Sequence, residues 1–163
     1  IYSNKNIGDL KDGKPHGKYK SQTYENGVLH GPSDYYDTLT NLHMKGNYFL
    51  GQKEGFWIFS TKKKLYNPYE KEPYEWSKSE GSYKNDLKVG QWKSYYNNGQ
   101  LCESGSYNNG IKEGLWTSYY KKGQVSESGR FINGKKDGLW NFYDENGRRL
   151  DQSGFYKENK LVY

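Results

Sequence analysis

The residues with the chemistry for acid–base catalysis or metal binding are few, and they recur in register. His16 and His30 each stand directly before the closing glycine of a turn motif, in "DGKPHG" and "NGVLHG". In the matching motifs the same place is filled by Glu54, Val89, Glu113 and Asp137. A position that accepts such different side chains is typical of a solvent-facing turn. No two histidines have metal-ligand spacing and one cysteine cannot build a structural zinc site, so no metal site is predicted.

The candidate nucleophiles and carboxylates follow the same pattern. Nucleophilic catalysis needs a Ser or Cys set apart on a strained turn beside a base, whereas the serines here repeat in motifs such as "SESG". Cys102 stands where neighbouring segments have Ser126 and Arg149, and Glu103 and Glu127 also repeat in register. No glycine-rich phosphate loop lies between a strand and a helix. The sequence therefore predicts a protein that is not an enzyme, with no catalytic residue and no cofactor.

An internal repeat explains these coincidences. Its units are "GSYKNDLKVGQWKSYYNNGQ" from Gly81, "GSYNNGIKEGLWTSYYKKGQ" from Gly105, "GRFINGKKDGLWNFYDENGR" from Gly129, and a half unit from Gly154. The first three units begin 24 residues apart. The closing glycines of the turn motif extend this period towards the N-terminus with two exceptions. Those at 17 and 31 are 14 residues apart, which indicates a truncated first unit, and those at 55 and 90 are 35 residues apart. We therefore predict one repeat array over 1–163, with an irregular insertion at 60–80.

The composition and the local pattern define the fold class. Only 32% of the 163 residues are hydrophobic, against about 45–50% in typical globular domains, while 18% are aromatic and 20 residues are glycine. Segments such as "LCESGSY" alternate, "LWTSYY" is aromatic and β-prone, and Asn-Gly pairs favour hairpin turns. Apolar residues show no helical period. The prediction is an all-β, elongated, single-layer antiparallel β-meander built from two-strand repeats of about 24 residues.

Large rings can replace a two-layer core in such a sheet. The glycine in the first strand of each unit leaves a hollow in which a neighbouring ring can lie. Each ring buries roughly 150–250 Å² without needing a second layer. The predicted ladder consists of Trp57, Trp92, Trp116 and Trp140 with Tyr95, Tyr119 and Tyr143. Because one layer has two faces, we expect one face to be self-packed and the other to be available.

Written out, the unit G-x-Y/F-x-N-G-x-K-x-G-x-W-x-x-Y-x-x-x-G-Q resembles the MORN repeat. It is more closely similar to the bacterial MORN-variant repeat of proteins labelled YwqK-family antitoxins. The similarity is strongest over 81–147 and weaker over 8–59, where Tyr replaces Trp in places. The resemblance implies a twisted sheet of hairpins that acts as a scaffold or partner-binding surface. It further implies either neutralisation of a toxin or a place in a bacterial cell envelope as an exported or lipid-anchored protein.

Exposed aromatic surface indicates the binding of a protein partner. Apolar patches of several hundred Å² mark such sites, and Tyr and Trp are their usual anchors. The 60–80 insertion is a second candidate, because the array does not require it. The candidate residues are Tyr66, Tyr69, Tyr74 and Trp76 in the insertion, and Trp57, Trp92, Trp116, Trp140, Tyr95, Tyr119 and Tyr143 in the sheet.

Several other functions and settings follow from the charge and the termini. The net charge is +6, but most lysines lie in turns instead of alternating with rings on one face, which disfavours nucleic-acid binding. A cytoplasmic antitoxin or immunity-type neutraliser is the main alternative, and binding of cell-wall glycan or acidic lipid is a further one. No stretch reaches the roughly 18 apolar residues of a membrane span, which leaves only peripheral association. The start at Ile1 instead of Met favours a removed leader and the envelope, with the cytoplasm as alternative.

Overall fold

The computed structural model describes residues 10–11, 14–15, 17–19, 22–37, 40–64 and 74–162, with the backbone alone at 10–19, 62–64 and 74–76. Its strands are β1 (Leu10–Lys11), β2 (Lys14–Pro15), β3 (Gly17–Tyr19), β4 (Gln22–Glu25), β5 (Val28–Asp37), β6 (Leu42–Phe49), β7 (Gln52–Lys64), β8 (Tyr74–Lys84), β9 (Leu87–Tyr95), β10 (Leu101–Asn108), β11 (Ile111–Tyr119), β12 (Val125–Ile132), β13 (Lys135–Phe142), β14 (Gly154–Lys157) and β15 (Lys160–Val162).

In the described part of the chain, all strand pairs join consecutive strands, and only β2 and β3 are not paired with each other. β1 and β2 form a small separate hairpin, and β3 to β15 form one open antiparallel sheet in which the spatial order is the chain order. Thirteen strands at about 4.8 Å spacing make the sheet roughly 58 Å wide. The described residues contain no helix. The predicted all-β, single-layer meander is therefore confirmed.

The two long sides of the sheet carry different turns. On one side, the narrow-turn side, two-residue turns such as Asn109–Gly110 have positive φ at both positions (46° and 82°). On the other, the wide-turn side, Gly99 (φ 81°) closes a longer loop in which the Tyr96 N–H donates to Gln100 O at 2.8 Å. The two-residue geometry matches the right-handed twist of the strands. The alternation of these turns produces the repeat of two strands.

A bulge in the second strand of each unit shapes the core. Ser104 pairs with Thr117 and Ser106 with Glu113, so three residues of β11 lie opposite Gly105 of β10. Gly114 supplies the positive φ, 75°, that this bulge needs. The closing glycines of the other units adopt the same conformation: Gly55, Gly90 and Gly138. The bulge places the tryptophan of the second strand over the glycine of the first.

That contact is closer than any side chain would allow. A Cβ added to Gly105 would lie 2.1 Å from a ring carbon of Trp116. The Trp116 indole N–H donates to the carbonyl of Ser106 at 3.0 Å, which satisfies the one polar atom of the ring. Three other units repeat the contact, with Trp57 over Gly46, Trp92 over Gly81 and Trp140 over Gly129. These four tryptophans are at most 3% exposed and form the core, which confirms the prediction that rings pack over strand glycines.

The tryptophans are joined by rings from the first strand of each unit. Tyr107 lies between Trp92 and Trp116 with centroid distances of 6.1 and 5.2 Å, and both contacts are edge-to-face. Tyr83 and Phe131 occupy the equivalent places beside Trp92 and Trp140. We call the face that carries this ladder the inner face and the opposite one the outer face.

The prediction that Tyr95, Tyr119 and Tyr143 belong to this ladder is wrong. They take part in no ring–ring contact within the described part of the chain. Each follows its tryptophan by three residues, and an odd spacing in a strand places two side chains on opposite faces. They therefore lie on the outer face.

The 60–80 insertion is only partly irregular. Pairing of β7 with β8 continues from Thr61↔Ser77 to Lys64↔Tyr74, so 60–64 and 74–80 are strand, which corrects the prediction for these residues. The extra residues therefore lengthen the hairpin of β7 and β8. Residues 65–73, which include Tyr66 and Tyr69, lie outside the described residues.

Leu50 gives a test of the turn geometry. It occupies the first position of a two-residue turn at φ 49°, where four of the equivalent turns have Asn. A left-handed conformation costs a side chain with Cβ about 1–2 kcal/mol, and Asn tolerates it better. Because Leu50 is 66% exposed, little burial is lost. Leu50→Asn should raise the free energy of unfolding by about 1 kcal/mol in urea titrations.

Leu115→Asn is the control, since Leu115 is 70% exposed but lies in a strand. It should give no gain. Equal effects of the two substitutions would contradict the turn argument.

Candidate functional site

The inner face is covered by lysines that lie on the rings. The Lys112 ammonium is 3.8 Å from the centroid of Trp116 and 5.5 Å from that of Phe131, and it pairs with Glu103 at 3.0 Å. The same contacts recur at Lys136, Trp140 and Glu127. An ammonium over a ring face is attracted by the ring quadrupole, and its aliphatic stem shields the ring from water. The inner face is therefore largely self-packed.

One lysine of this row forms no ion pair of its own in the part of the chain that the structure describes, although the charge of Glu103 acts on it from the next strand. Lys88 lies over Trp92 and Tyr107 at 4.2 and 5.0 Å, but Ser79 occupies the position that Glu103 holds for Lys112. No ion pair to Lys88 exists within the described residues. Burial lowers the pKa of Lys88 below its ordinary value. The sequence analysis missed the whole row, although Lys recurs four residues before Trp.

The outer face carries the three displaced tyrosines near its wide-turn side. The Tyr95 hydroxyl donates to Glu80 at 2.7 Å, and that carboxylate raises the pKa of Tyr95. The backbone carbonyls of Tyr119 and Tyr143 accept hydrogen bonds from the hydroxyls of Tyr96 and Tyr120, both at 2.7 Å. Each hydroxyl reaches the next unit, 23 residues on, so these tyrosines link successive repeats.

The outer face also carries a row of exposed apolar side chains. Leu115 and Leu139 stand directly before the buried tryptophans of β11 and β13 and therefore point the other way. Leu139 pairs with Phe155, which pairs with Val162, so the three side chains form a line on one face. We call these four residues the outer apolar row; their exposed fractions lie between 47% and 70%. The sequence analysis did not single them out, because the residue before Trp varies between units.

A recess lies where the lengthened hairpin meets its shorter neighbours. β8 extends beyond the end of β9, whose last pair is Tyr95↔Lys78. We call the space between residues 74–78 and the turn 96–99 the hairpin notch. Two cavities, of about 450 and 490 Å³, adjoin it. Both are lined by Ser77, Lys78, Tyr95, Tyr96 and Asn97.

The wall of the notch is fixed by Tyr96. Besides its hydrogen bond to the carbonyl of Tyr119, its hydroxyl contacts the side chain of Cys102. Hydrogen bonding to that side chain, together with burial, raises the pKa of Tyr96 to about 12. The phenol is therefore neutral at physiological pH and can donate its hydrogen bond to the Tyr119 carbonyl.

The residue directly before the closing glycine makes a contact with the next repeat. The prediction that this position is a solvent-facing turn position is therefore wrong. The Glu113 carboxylate accepts a hydrogen bond from the Asn133 N–H, one repeat further on, at 2.9 Å. Other residues at this position also contact the following hairpin. The Glu54 carboxylate accepts a hydrogen bond from the Asn85 N–H, and Asp137 forms an ion pair with Lys157. The His30 ring packs against Phe49. His16 lies outside the described residues.

A surface ion cluster is the remaining group with acid–base chemistry. The carboxylate of Asp34 contacts His43 and Lys45 on the outer face, and the hydrogen bond with His43 lowers the pKa of Asp34. All three side chains are well exposed. The described residues contain no group of three His, Cys, Asp or Glu that could hold a metal ion.

The structure separates the predicted partner-binding residues. The four tryptophans are buried, so they support the sheet from within and present little surface to a partner. Tyr95 lines the notch, while Tyr119 and Tyr143 lie further along the outer face. The backbone places Tyr74 and Trp76 on β8 beside the notch.

Fold and surface together define a β-hairpin repeat protein. Residues 88–109 and 112–133 match the family model of the MORN repeat variant, and each match runs from one hairpin into the next. No curated protein matches the chain. MORN repeats are generally modules for protein or membrane interaction and are typically not catalytic. No helix among the described residues is long and apolar enough to cross a membrane.

The unpaired lysine of the inner face gives a testable prediction. Ser79→Glu would give Lys88 the carboxylate that Lys112 has in Glu103. The pair would be partly buried, and we expect a gain of about 0.5–1 kcal/mol in the free energy of unfolding at pH 7. A carboxylate whose folded-state pKa is lowered contributes stability above its unfolded value, so the gain should disappear as the pH falls below about 4.

Thr117→Glu is the control, because its cross-strand neighbours are Ser104 and Ser128. It should not stabilise the protein. A gain from Ser79→Glu that persisted at pH 3 would rule out the ion pair as its cause.

Proposed function

We propose that this protein is a non-enzymatic repeat scaffold that binds a protein partner through the outer face of its sheet. The observation that carries the proposal is the outer apolar row, in which Leu115, Leu139, Phe155 and Val162 are exposed on one face. Leu139, Phe155 and Val162 are direct cross-strand neighbours, and Leu115 lies two strands from Leu139. Exposed apolar side chains gathered on one face of a folded surface are typical of interaction sites. The partner would cover this row and leave the inner face unchanged.

The two faces of the sheet differ in how much surface they leave free for a partner. On the inner face the rings are occupied by lysines, and most of those lysines by carboxylates. On the outer face Arg130 pairs across the strands with Leu115, so an exposed cation stands on the strand between Leu115 and Leu139. An apolar centre with a polar rim is the usual anatomy of a protein–protein interface. Tyr119 and Tyr143 lie at one end of the same strands and extend the surface.

The resemblance implies two settings for such a partner. In the first, the protein is a component of a bacterial envelope complex; in the second, it neutralises a toxin in the cytoplasm. We place the envelope complex first. The identity of the bound protein and the fraction that contains it distinguish the two.

The test compares capture by matched variants. Tagged wild-type protein is incubated with soluble and membrane fractions of its native lysate and washed at high salt, and bound proteins are identified by mass spectrometry. The test variant carries Leu115→Ser, Leu139→Ser and Phe155→Ser. The control carries Leu87→Ser, Ile111→Ser and Ile132→Ser, three side chains of the narrow-turn side that are 42–48% exposed. Circular dichroism first confirms that all three proteins are folded.

We expect one stoichiometric protein with the wild type and the control, and at least a tenfold loss with the test variant. Equal capture by both variants would exclude the outer apolar row as the site. Recovery of only salt-sensitive lipid, glycan or nucleic acid would contradict the proposed function.

A further inference from the structure

The free edge of β8 is the starting observation. Lys78 pairs with Tyr95, the last residue of β9. Beyond it, Tyr74–Ser77 remain paired with β7 through Thr61–Lys64. On the side of the notch, no strand of the described chain pairs with these four residues. An unpaired strand edge presents backbone donors and acceptors that can accept another strand.

The length of that edge defines what it can bind. Successive residues of an antiparallel strand direct their N–H and C=O groups to alternate sides. Four residues therefore offer about four main-chain hydrogen bonds to the notch, over roughly 13 Å. A strand added there would lie in line with β9, and its end would abut Tyr96 and Asn97. One cavity lies on each side of the added strand, so there is room for the side chains that alternate between its two faces.

The charge around the notch favours an acidic ligand. Lys78 and Lys121 line one of the two cavities, and Lys93 lies opposite Glu80. The strand positions of β7 beside the free edge hold three further lysines, 62–64. The nearby carboxylates are Glu75 and Glu80, and Glu80 pairs with Lys78 at 2.6 Å, which neutralises both. Six lysines against two carboxylates still leave the surroundings of the notch positive.

We infer that the hairpin notch binds an extended acidic segment of the protein partner, which adds to the sheet as a strand along Tyr74–Ser77. Strand addition takes its affinity from main-chain hydrogen bonds and its selectivity from the side chains beside them. The inference rests on the proposed function, because it assumes that the partner is a protein. It goes further in naming a second contact and the chemistry of the segment that makes it.

The chain provides its own control variant. The spacing of 35 residues between Gly55 and Gly90 exceeds the regular 24 by 11. Replacing 62–76 with Asn-Asn-Gly-Gln, the sequence of 97–100, removes these 11 residues and gives β7 and β8 the turn that joins β9 to β10. This regular-turn variant should keep the ladder and the outer apolar row and lack the notch.

The probe is the capped peptide acetyl-Glu-Val-Glu-Val-Glu-Val-amide, titrated into the full chain by calorimetry at low salt. Two companion peptides separate the causes of binding: one is N-methylated at every second residue, and one has Lys in place of Glu. We expect submillimolar binding of the acidic peptide to the wild type. The regular-turn variant and both companion peptides should bind at least tenfold more weakly, a loss of about 1.4 kcal/mol or more.

The inference is overturned if the wild type does not bind the acidic peptide at 1 mM. It is also overturned if the regular-turn variant binds the acidic peptide as well as the wild type does, or if the N-methylated peptide binds as well as the unmodified one. If the Lys peptide binds as well as the acidic peptide, the preference for an acidic segment is contradicted. Concentration-dependent dimerisation of the wild type that the regular-turn variant loses would show that the notch takes a second copy, which also contradicts it. Partner capture by the regular-turn variant at wild-type level would refute the inference alone. Capture of no protein would instead refute the proposed function.

Discussion

The close contact between each tryptophan ring and a glycine one strand away is the constraint on which the structure depends. A Cβ at Gly46, Gly81, Gly105 or Gly129 would lie 2.1–2.3 Å from the ring, so any larger residue at these positions must displace the ring. The bulge at the closing glycine brings the ring to this place, and the indole N–H finds a carbonyl there. Each ring buries roughly 150–250 Å² against backbone and neighbouring rings. A chain with only 32% hydrophobic residues thereby forms a core inside a single layer.

The same contact decides what each face can do. Because the tryptophans turn inward, the residues directly before them turn outward, and Leu115 and Leu139 are left without cover. Lysines close the inner face over the rings, which leaves the outer face for a partner. The repeat is interrupted once, by the lengthened hairpin of β7 and β8, and the interruption creates a free strand edge. The regular repeats form the scaffold, and the lengthened hairpin of β7 and β8 adds a second candidate contact to the outer apolar row.

The period, the fold class and the ring-over-glycine packing could be predicted because they depend on local spacing. The ladder tyrosines were misassigned because they were grouped with the tryptophans by their register in the repeat. Strand parity places Tyr119, an odd number of residues after Trp116, on the opposite face. The role of Glu113 could not be found from one unit, since the backbone group that it caps lies 20 residues away in the next turn. The strand character of 60–64 was obscured by three successive lysines, which carry no apolar alternation. The outer apolar row depends on cross-strand register, which a single unit does not contain.

A double-mutant cycle on Gly105 and Trp116 tests the central claim most directly. Gly105→Ala is measured in urea in the wild-type protein and in a Trp116→Leu background, where the smaller side chain leaves room for a methyl group. The account predicts a cost of about 2–3 kcal/mol beside Trp116, because the ring must be displaced. In the Trp116→Leu background the same substitution should cost close to zero, so that the coupling is about 2 kcal/mol. Additive effects within about 0.5 kcal/mol would contradict the account, since the glycine would then be required for a reason other than the ring.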